Sequence, residues 1–276
     1  MDRQESYVGF GLEFNPMIRT YDSIPDFVNV ARYCPYKSGA LPTKWFGYID
    51  AYECIERSLN GNDRLVPAAE KLLDQLDANV EILRPEWAPC VAGAYACVPE
   101  YLAGLPECMR RMVPAVNEVT PVQVYVSTTC SASIGTDIML ARGTAILALI
   151  LKLQQMRPVQ LNLLAETHGA TDGEYLQVIR VESAPLNLAV ACHCLTHVGF
   201  ARHLTYGTAR AQDGFNGAWP DSYSTGGAAW ESHVREVLSM NPQDLYIGAA
   251  REWDQAITAP VAWVNAQVRA FADRED

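Results

Sequence analysis

Residues 121–156, PVQVYVSTTCSASIGTDIMLARGTAILALILKLQQM, constrain the fold of this chain more than any other stretch. The apolar alternation at 122–126 predicts a buried strand, residues 127–133 are small and largely hydroxylated, and the remainder predicts an apolar helix of about five turns. Strand, short loop and helix in that order open an α/β domain. Ligands of open α/β sheets gather at the carboxyl ends of strands. The expected ligand or partner site is therefore this loop, Ser127, Thr128, Thr129, Cys130, Ser131 and Ser133, with Asp137 in the first turn of the helix behind it.

Downstream, residues 159–165 (VQLNLLA) and 174–181 (EYLQVIRV) predict two more strands. The polar, glycine-containing turn ETHGATDG between them predicts an antiparallel hairpin. A helix at 186–203, a long loop at 205–225, a helix at 230–240, a strand at 245–249 and a last helix at 253–273, restarted at Pro260, complete this half. Upstream, residues 1–20 predict a strand-like or irregular lead-in, and helices follow from Asp22 or Ser23 to Cys34, over 49–59 and over 65–79. A strand is expected at 80–83. Gly93, Pro99, Gly104 and Pro106 then limit residues 90–113 to helical turns at 98–103 and 107–112. The expected division is a mainly helical portion, 1–118, packed on an α/β domain, 119–276.

A chain of 276 residues with 49% hydrophobic and 19% charged residues can bury a sizeable core in one large domain or two modest ones. Its net charge of -11, with Arg110-Arg111 the only basic pair, argues against broad phosphate-backbone binding. The N-terminal MDRQESYVGFGLEF lacks the pattern of a secretory signal, and the longest apolar run, 145–151, is far short of the roughly 20 residues that cross a bilayer. These features predict a soluble intracellular protein whose eight cysteines remain thiols, several of them buried.

The order of elements, together with Thr129-Cys130-Ser131-Ala132-Ser133, resembles a von Willebrand factor A-type (VWA) domain. In that family the first strand ends in D-x-S-x-S, which holds Mg²⁺ or Mn²⁺ with a Thr and an Asp from later loops. The resemblance implies a three-layer, Rossmann-like VWA sheet and a degenerate metal-adhesion loop, because Ser131 and Ser133 match while Thr129 stands in place of the Asp. A hard divalent cation favours charged oxygens, which Thr129 does not supply. Thr167, Thr171 and Asp172 in the hairpin turn, and Asp213 and Asp221 in the long loop, are candidate later ligands that no motif fixes. Read from its residues alone, the loop admits three roles: hydroxyls that satisfy backbone groups, an anion site on free amides, or a metal site. Trp45-Phe46-Gly47, VAGAYACVPEYLAGLPECM at 91–109, and the segment from Ser131 to Arg142-Gly143 resemble a group of uncharacterised bacteriophage proteins. That resemblance implies a phage origin and, with it, the host cytoplasm.

Other chemistry is sparse. Cys130 opens no cysteine-phosphatase loop, since C-x5-R would need Arg where Thr136 stands. Cys192-His193-Cys194 with His197 is the densest group of soft ligands; two histidines four apart share a helix face, but buried thiols and packed histidines are the weightier expectation. Neither G-x-S-x-G, G-x4-G-K-[ST] nor G-x-G-x-x-G occurs. Glu166 and Asp172 are expected to flank a solvated turn, and Trp219, Tyr223 and Trp230 to form either an interaction surface or core. The leading expectation is a non-enzymatic phage interaction or assembly module. The VWA resemblance implies a protein partner, including AAA+ ATPases of the MoxR type, or self-assembly. The alternative is a metal-dependent hydrolase using Mg²⁺ or Mn²⁺ at the same loop, and a third reading is single-strand nucleic-acid binding through aromatics.

Overall fold

The computed structural model describes residues 3–4, 7–9, 12–14, 17–34, 44–62, 66–75, 86–113, 121–130, 133–169, 173–182, 186–211, 228–251 and 253–272. In chain order the elements are β1 (Arg3–Gln4), β2 (Tyr7–Gly9), β3 (Leu12–Phe14), β4 (Met17–Tyr21), α1 (Ile24–Ala31), α2 (Ala51–Asn60), α3 (Val66–Leu73), β5 (Glu86–Cys90), β6 (Tyr95–Ala96), α4 (Val98–Leu102) and β7 (Met109–Val113). They continue with β8 (Val122–Ser127), α5 (Thr136–Gln154), β9 (Val159–Gly169), β10 (Gly173–Val181), α6 (Leu188–Thr196), a π-helical turn (Phe200–Thr205), α7 (Tyr206–Arg210), α8 (Ala228–Val237), β11 (Leu245–Ile247), α9 (Gln255–Thr258) and α10 (Pro260–Ala272). The expected strand at 80–83 lies outside the described residues.

The fold is mixed α/β. Its main sheet has the order β1-β4-β10-β9-β8-β11. β8 runs parallel to both neighbours, β9 and β11, while β9 and β10 form the expected antiparallel hairpin. β4 lies parallel to β10, so the sheet takes strands from both sides of residue 118. β4 falls at the end of the lead-in expected to be strand-like or irregular; it is only five residues long, and the edge of β10 supplies its hydrogen bonds.

Strand alternation puts Val122, Val124, Val126, Leu161, Leu163, Ile179 and Val181 on one face, in the core with α5. Residues 145–150 of α5 are all fully buried, which explains why this helix is apolar all round rather than striped. It packs most extensively on α6. A Cβ on Gly143 would lie 2.5 Å from the Leu195 carbonyl oxygen, so the helices can approach this closely only over glycine. The opposite face carries a smaller cluster, Leu164, Val178, Trp230 and Val234, under α8. Trp230 is thereby core.

α1 and α2 begin where the sequence places them. The Ser23 hydroxyl accepts from Asp26 N at 3.1 Å, and the Asp50 carboxylate accepts from Glu53 N at 2.7 Å. Three expectations change. The loop expected at 205–225 begins helical, with Thr205 closing the π-helical turn and Tyr206–Arg210 forming α7, because the buried Thr205 and Thr208 side chains bond back to carbonyls one turn earlier. The helix expected at 186–203 ends at Thr196, and His197 turns extended, with its Nδ1 accepting from Gly199 N at 3.0 Å before the π-helical turn resumes the path. Residues 109–113 are strand β7, so four residues of the helical turn expected at 107–112 are strand instead; β7 pairs antiparallel with β5 and β6 in a separate three-stranded sheet. The partner strand β5 is some twenty residues away in sequence, beyond the reach of local periodicity.

Candidate functional site

β8 ends beside β9, and its hydroxyls close the gap where the ladder stops. Thr128 N and Oγ1 both donate to the Leu164 carbonyl, at 2.7 and 2.9 Å. The Thr129 hydroxyl accepts from Glu166 N at 3.0 Å and donates to Glu166 O at 3.2 Å. Ser127 Oγ donates to Glu166 Oε2 at 2.7 Å, and Tyr246 OH, from β11, donates to Glu166 Oε1 at 2.7 Å. Glu166 is fully buried in β9, not at a solvated turn. The sheet pleat sends it inward, on the same face as Ser127 and Tyr246. Burial first, and then the facing Glu166 carboxylate, pushes the Tyr246 phenol far up, keeping it a donor.

Arg142, in α5, is 1% exposed. It donates to Ser127 O at 3.3 Å and to Gly248 O, and its Nε lies 3.5 Å from an Asp254 oxygen. One guanidinium thus ties α5 to the ends of β8 and β11 and to the start of α9. Burial pushes its pKa down; Asp254 is the largest opposing influence, and Glu166 also contributes. A buried cation left without such partners costs several kcal/mol, on the order of 3 to 5. Asp254 also accepts from Arg251 N at 3.0 Å. Beside this clasp opens a cavity of about 320 Å³, lined by Arg142, Glu231, Tyr246, Gly248, Arg251 and Asp254, with Trp263 and Gln267 from α10.

The residues expected at this loop divide into three groups. Ser127, Thr128, Thr129 and Cys130 are buried. The Cys130 thiol is pushed up by burial, and its backbone bridges to Ala250. Ser133 and Asp137 are exposed at the start of α5. Ser131 and Asp172 lie outside the described residues, as do Thr171, Asp213, Trp219, Asp221 and Tyr223; Thr167 is placed in β9 without its side chain. Sequence reasoning missed Arg142, Tyr246, Asp254, Glu231 and Arg251 as site residues. One signal existed: Arg142 interrupts an otherwise apolar helix, a place where charge survives only with built-in partners.

The histidines form a different group. The His193 and His197 rings stack at 5.2 Å, and Cys54 Sγ lies 3.8 Å from His193 Nε2. Burial pushes His193 down to about 3 and His197 down to about 4. Both are neutral packing groups. Among the described residues no three His, Cys, Asp or Glu side chains are arranged to hold a metal ion. Nearby, Arg202 stacks over Trp45 at 4.7 Å and donates to Trp45 O at 2.5 Å, while His203 stacks on Phe46 at 3.8 Å. The Trp45-Phe46-Gly47 motif is therefore the plug that seats this segment, and a Cβ on Gly47 would lie 2.8 Å from the His197 ring.

The three-stranded sheet is built otherwise. β5, β6 and β7 make their main contacts with one another. The loop from β6 to β7 exposes Val98, Tyr101, Leu102 and Leu105 at 61, 67, 78 and 52%.

A match to the family described as Domain of unknown function (DUF7192) runs over residues 4–258. The chain belongs to that family. No curated protein and no solved structure matches it. The match covers both the strand-end clasp and the exposed loop, so both lie within the DUF7192 domain. Among the described residues no helix is long and apolar enough to cross a membrane.

Proposed function

We propose that this DUF7192 protein is a non-enzymatic interaction or assembly module of phage origin, built on a VWA-like sheet and working in the host cytoplasm. The observation that carries the proposal is the run of exposed apolar side chains Val98, Tyr101, Leu102 and Leu105 on one short loop. Clustered aromatic and aliphatic side chains held out in water are the signature of a surface that is covered by another protein. The VWA-like part of the reading is supported by the sheet itself. β8 lies between two parallel neighbours, β9 and the edge strand β11, with the antiparallel hairpin strand β10 beyond β9, and a hydroxyl-rich loop lies at its carboxyl end.

In this reading the loop 129–133 descends from a metal-adhesion loop, and the Thr129 hydroxyl at its start is turned inward while Ser133 stays exposed. Thr129, at the position of the lost carboxylate, spends its hydroxyl on the Glu166 backbone. The partner is a protein, with a MoxR-type AAA+ ATPase or a second copy of this chain as the first candidates. The test uses Tyr101→Glu with Leu102→Glu. The parent should bind a purified MoxR-type ATPase or sediment as an oligomer, and the double variant should lose that while melting at the same temperature. A parent that stays monomeric and binds neither candidate would sink the reading.

A further inference from the structure

The loop that carries Val98, Tyr101, Leu102 and Leu105 begins at Cys97 and ends at Cys108. In β6 and β7 the register pairs Tyr95 with Arg110 and Ala96 with Met109, so the next opposed pair is Cys97 and Cys108. A backbone hydrogen bond from Cys97 N to Cys108 O, 2.7 Å long, confirms that the pairing continues that far. Directly opposed residues on antiparallel strands have Cα atoms roughly 4.5 to 5.5 Å apart and side chains on the same face. Those separations lie within the roughly 4.4 to 6.8 Å that a disulfide spans. Both cysteines are free thiols and partly exposed.

The third cysteine of this sheet is excluded by the same pleat. Cys90 pairs with Met109, one residue out of step with Cys108, and so lies on the opposite face. Its sulfur contacts the Ala92 and Met109 carbonyl oxygens, at 3.3 and 3.5 Å. On the Cys97 side the Arg110 guanidinium, bound to the Glu100 carboxylate, also reaches the Cys97 sulfur. Register and face together select one pair out of three thiols.

We infer that Cys97 and Cys108 form a reversible cross-strand cystine that closes the loop 98–107 at its base, with a small disulfide such as glutathione disulfide as the oxidant. The Cys97 thiol attacks one glutathione sulfur; the new mixed disulfide forms, the glutathione S–S bond breaks, and the first glutathione leaves as a thiol with the proton. Cys108 then attacks the Cys97 sulfur, the cystine forms, and the second glutathione leaves with its proton. The protein loses two protons and two electrons, and one glutathione disulfide takes them up to become two thiols. A reducing compartment keeps the pair open, and a more oxidising one closes it. The bond stands on the register alone; that it fixes the presentation of Tyr101 and Leu102 to a partner rests on the interaction reading above.

The full chain is equilibrated with glutathione disulfide, its remaining thiols are alkylated, and its peptides are mapped with and without dithiothreitol. The expected result is a peptide pair linked through Cys97 and Cys108, lighter by two hydrogens, with Cys90 alkylated and the link lost on reduction. Cys108→Ser should trap glutathione on Cys97 instead, which separates a missing resolving thiol from an unreactive one. Alkylation of both Cys97 and Cys108 in the parent, a link through Cys90, or persistent glutathione on parental Cys97 would overturn the inference. None of these outcomes depends on whether the chain binds the ATPase or itself, so the two ideas fail separately.

Discussion

At the carboxyl end of β8 in the six-stranded sheet, Ser127, Glu166 and Arg142 are buried and each is bonded to a named partner, whereas Tyr101 and Leu102, between β6 and β7 of the three-stranded sheet, stand exposed to water. The first region places polar groups where water cannot reach and satisfies them inside the fold. The second places apolar groups where only water reaches. The contrast separates structural polarity from functional surface: burial with complete bonding marks a clasp, and exposure of large apolar side chains marks a place to be covered.

The contrast breaks most sharply at Arg142. Arg142→Ala should cost about 3 kcal/mol in denaturant unfolding, because it leaves Asp254 and the Ser127 and Gly248 carbonyls without their cation. A loss below about 1 kcal/mol would show that the clasp carries little of the fold.

Acid acts next. His193 and His197 titrate near 3 and 4 in the fold, against roughly 6.5 in an unfolded chain. The unfolded chain therefore takes up protons that the folded chain refuses. Stability from keeping these rings neutral is complete above about pH 6.5 and is lost as pH falls toward 4, by roughly 3 kcal/mol for each ring. His193→Leu should flatten the pH dependence of unfolding between pH 6 and 4, and an unchanged slope would refute the assignment.

Gly143→Ala forces a methyl onto the Leu195 carbonyl, and a loss of about 1 to 3 kcal/mol is expected, read as a lower midpoint with an unchanged denaturant slope. Ser127→Ala removes the Ser127 hydroxyl donor to Glu166, beside that of Tyr246, and should cost about 1 to 2 kcal/mol in denaturant unfolding. At the other extreme, Tyr101→Ser with Leu102→Ser should change unfolding by less than about 0.5 kcal/mol while abolishing partner capture or self-association. A large stability loss there would mean that the loop is core after all, and the comparison with the strand-end clasp would dissolve.

Much of the main sheet was legible. Residues 122–126 extended by one to Ser127, the hairpin of β9 and β10 formed, and α5 and the restart of the last helix at Pro260 came where apolar runs and a breaker put them. The site was legible as a place and only partly as a chemistry. Position at a strand end follows from the order of elements, but Glu166 reads as a turn residue until the strand is seen to run on to Gly169.

Sequence by itself determined the mixed α/β class, the strand at 122–126 with its loop and helix, and the net negative charge, because these rest on local periodicity and on totals. Tertiary structure alone decided that β4 joins the sheet, that β7 is a strand, that Arg142 meets Asp254 more than a hundred residues away, and that Cys97 faces Cys108. Each of these is a pairing between distant segments. A strand's edge or a buried charge is stable only with a partner, and nothing in the local pattern of either segment says which partner folding will bring.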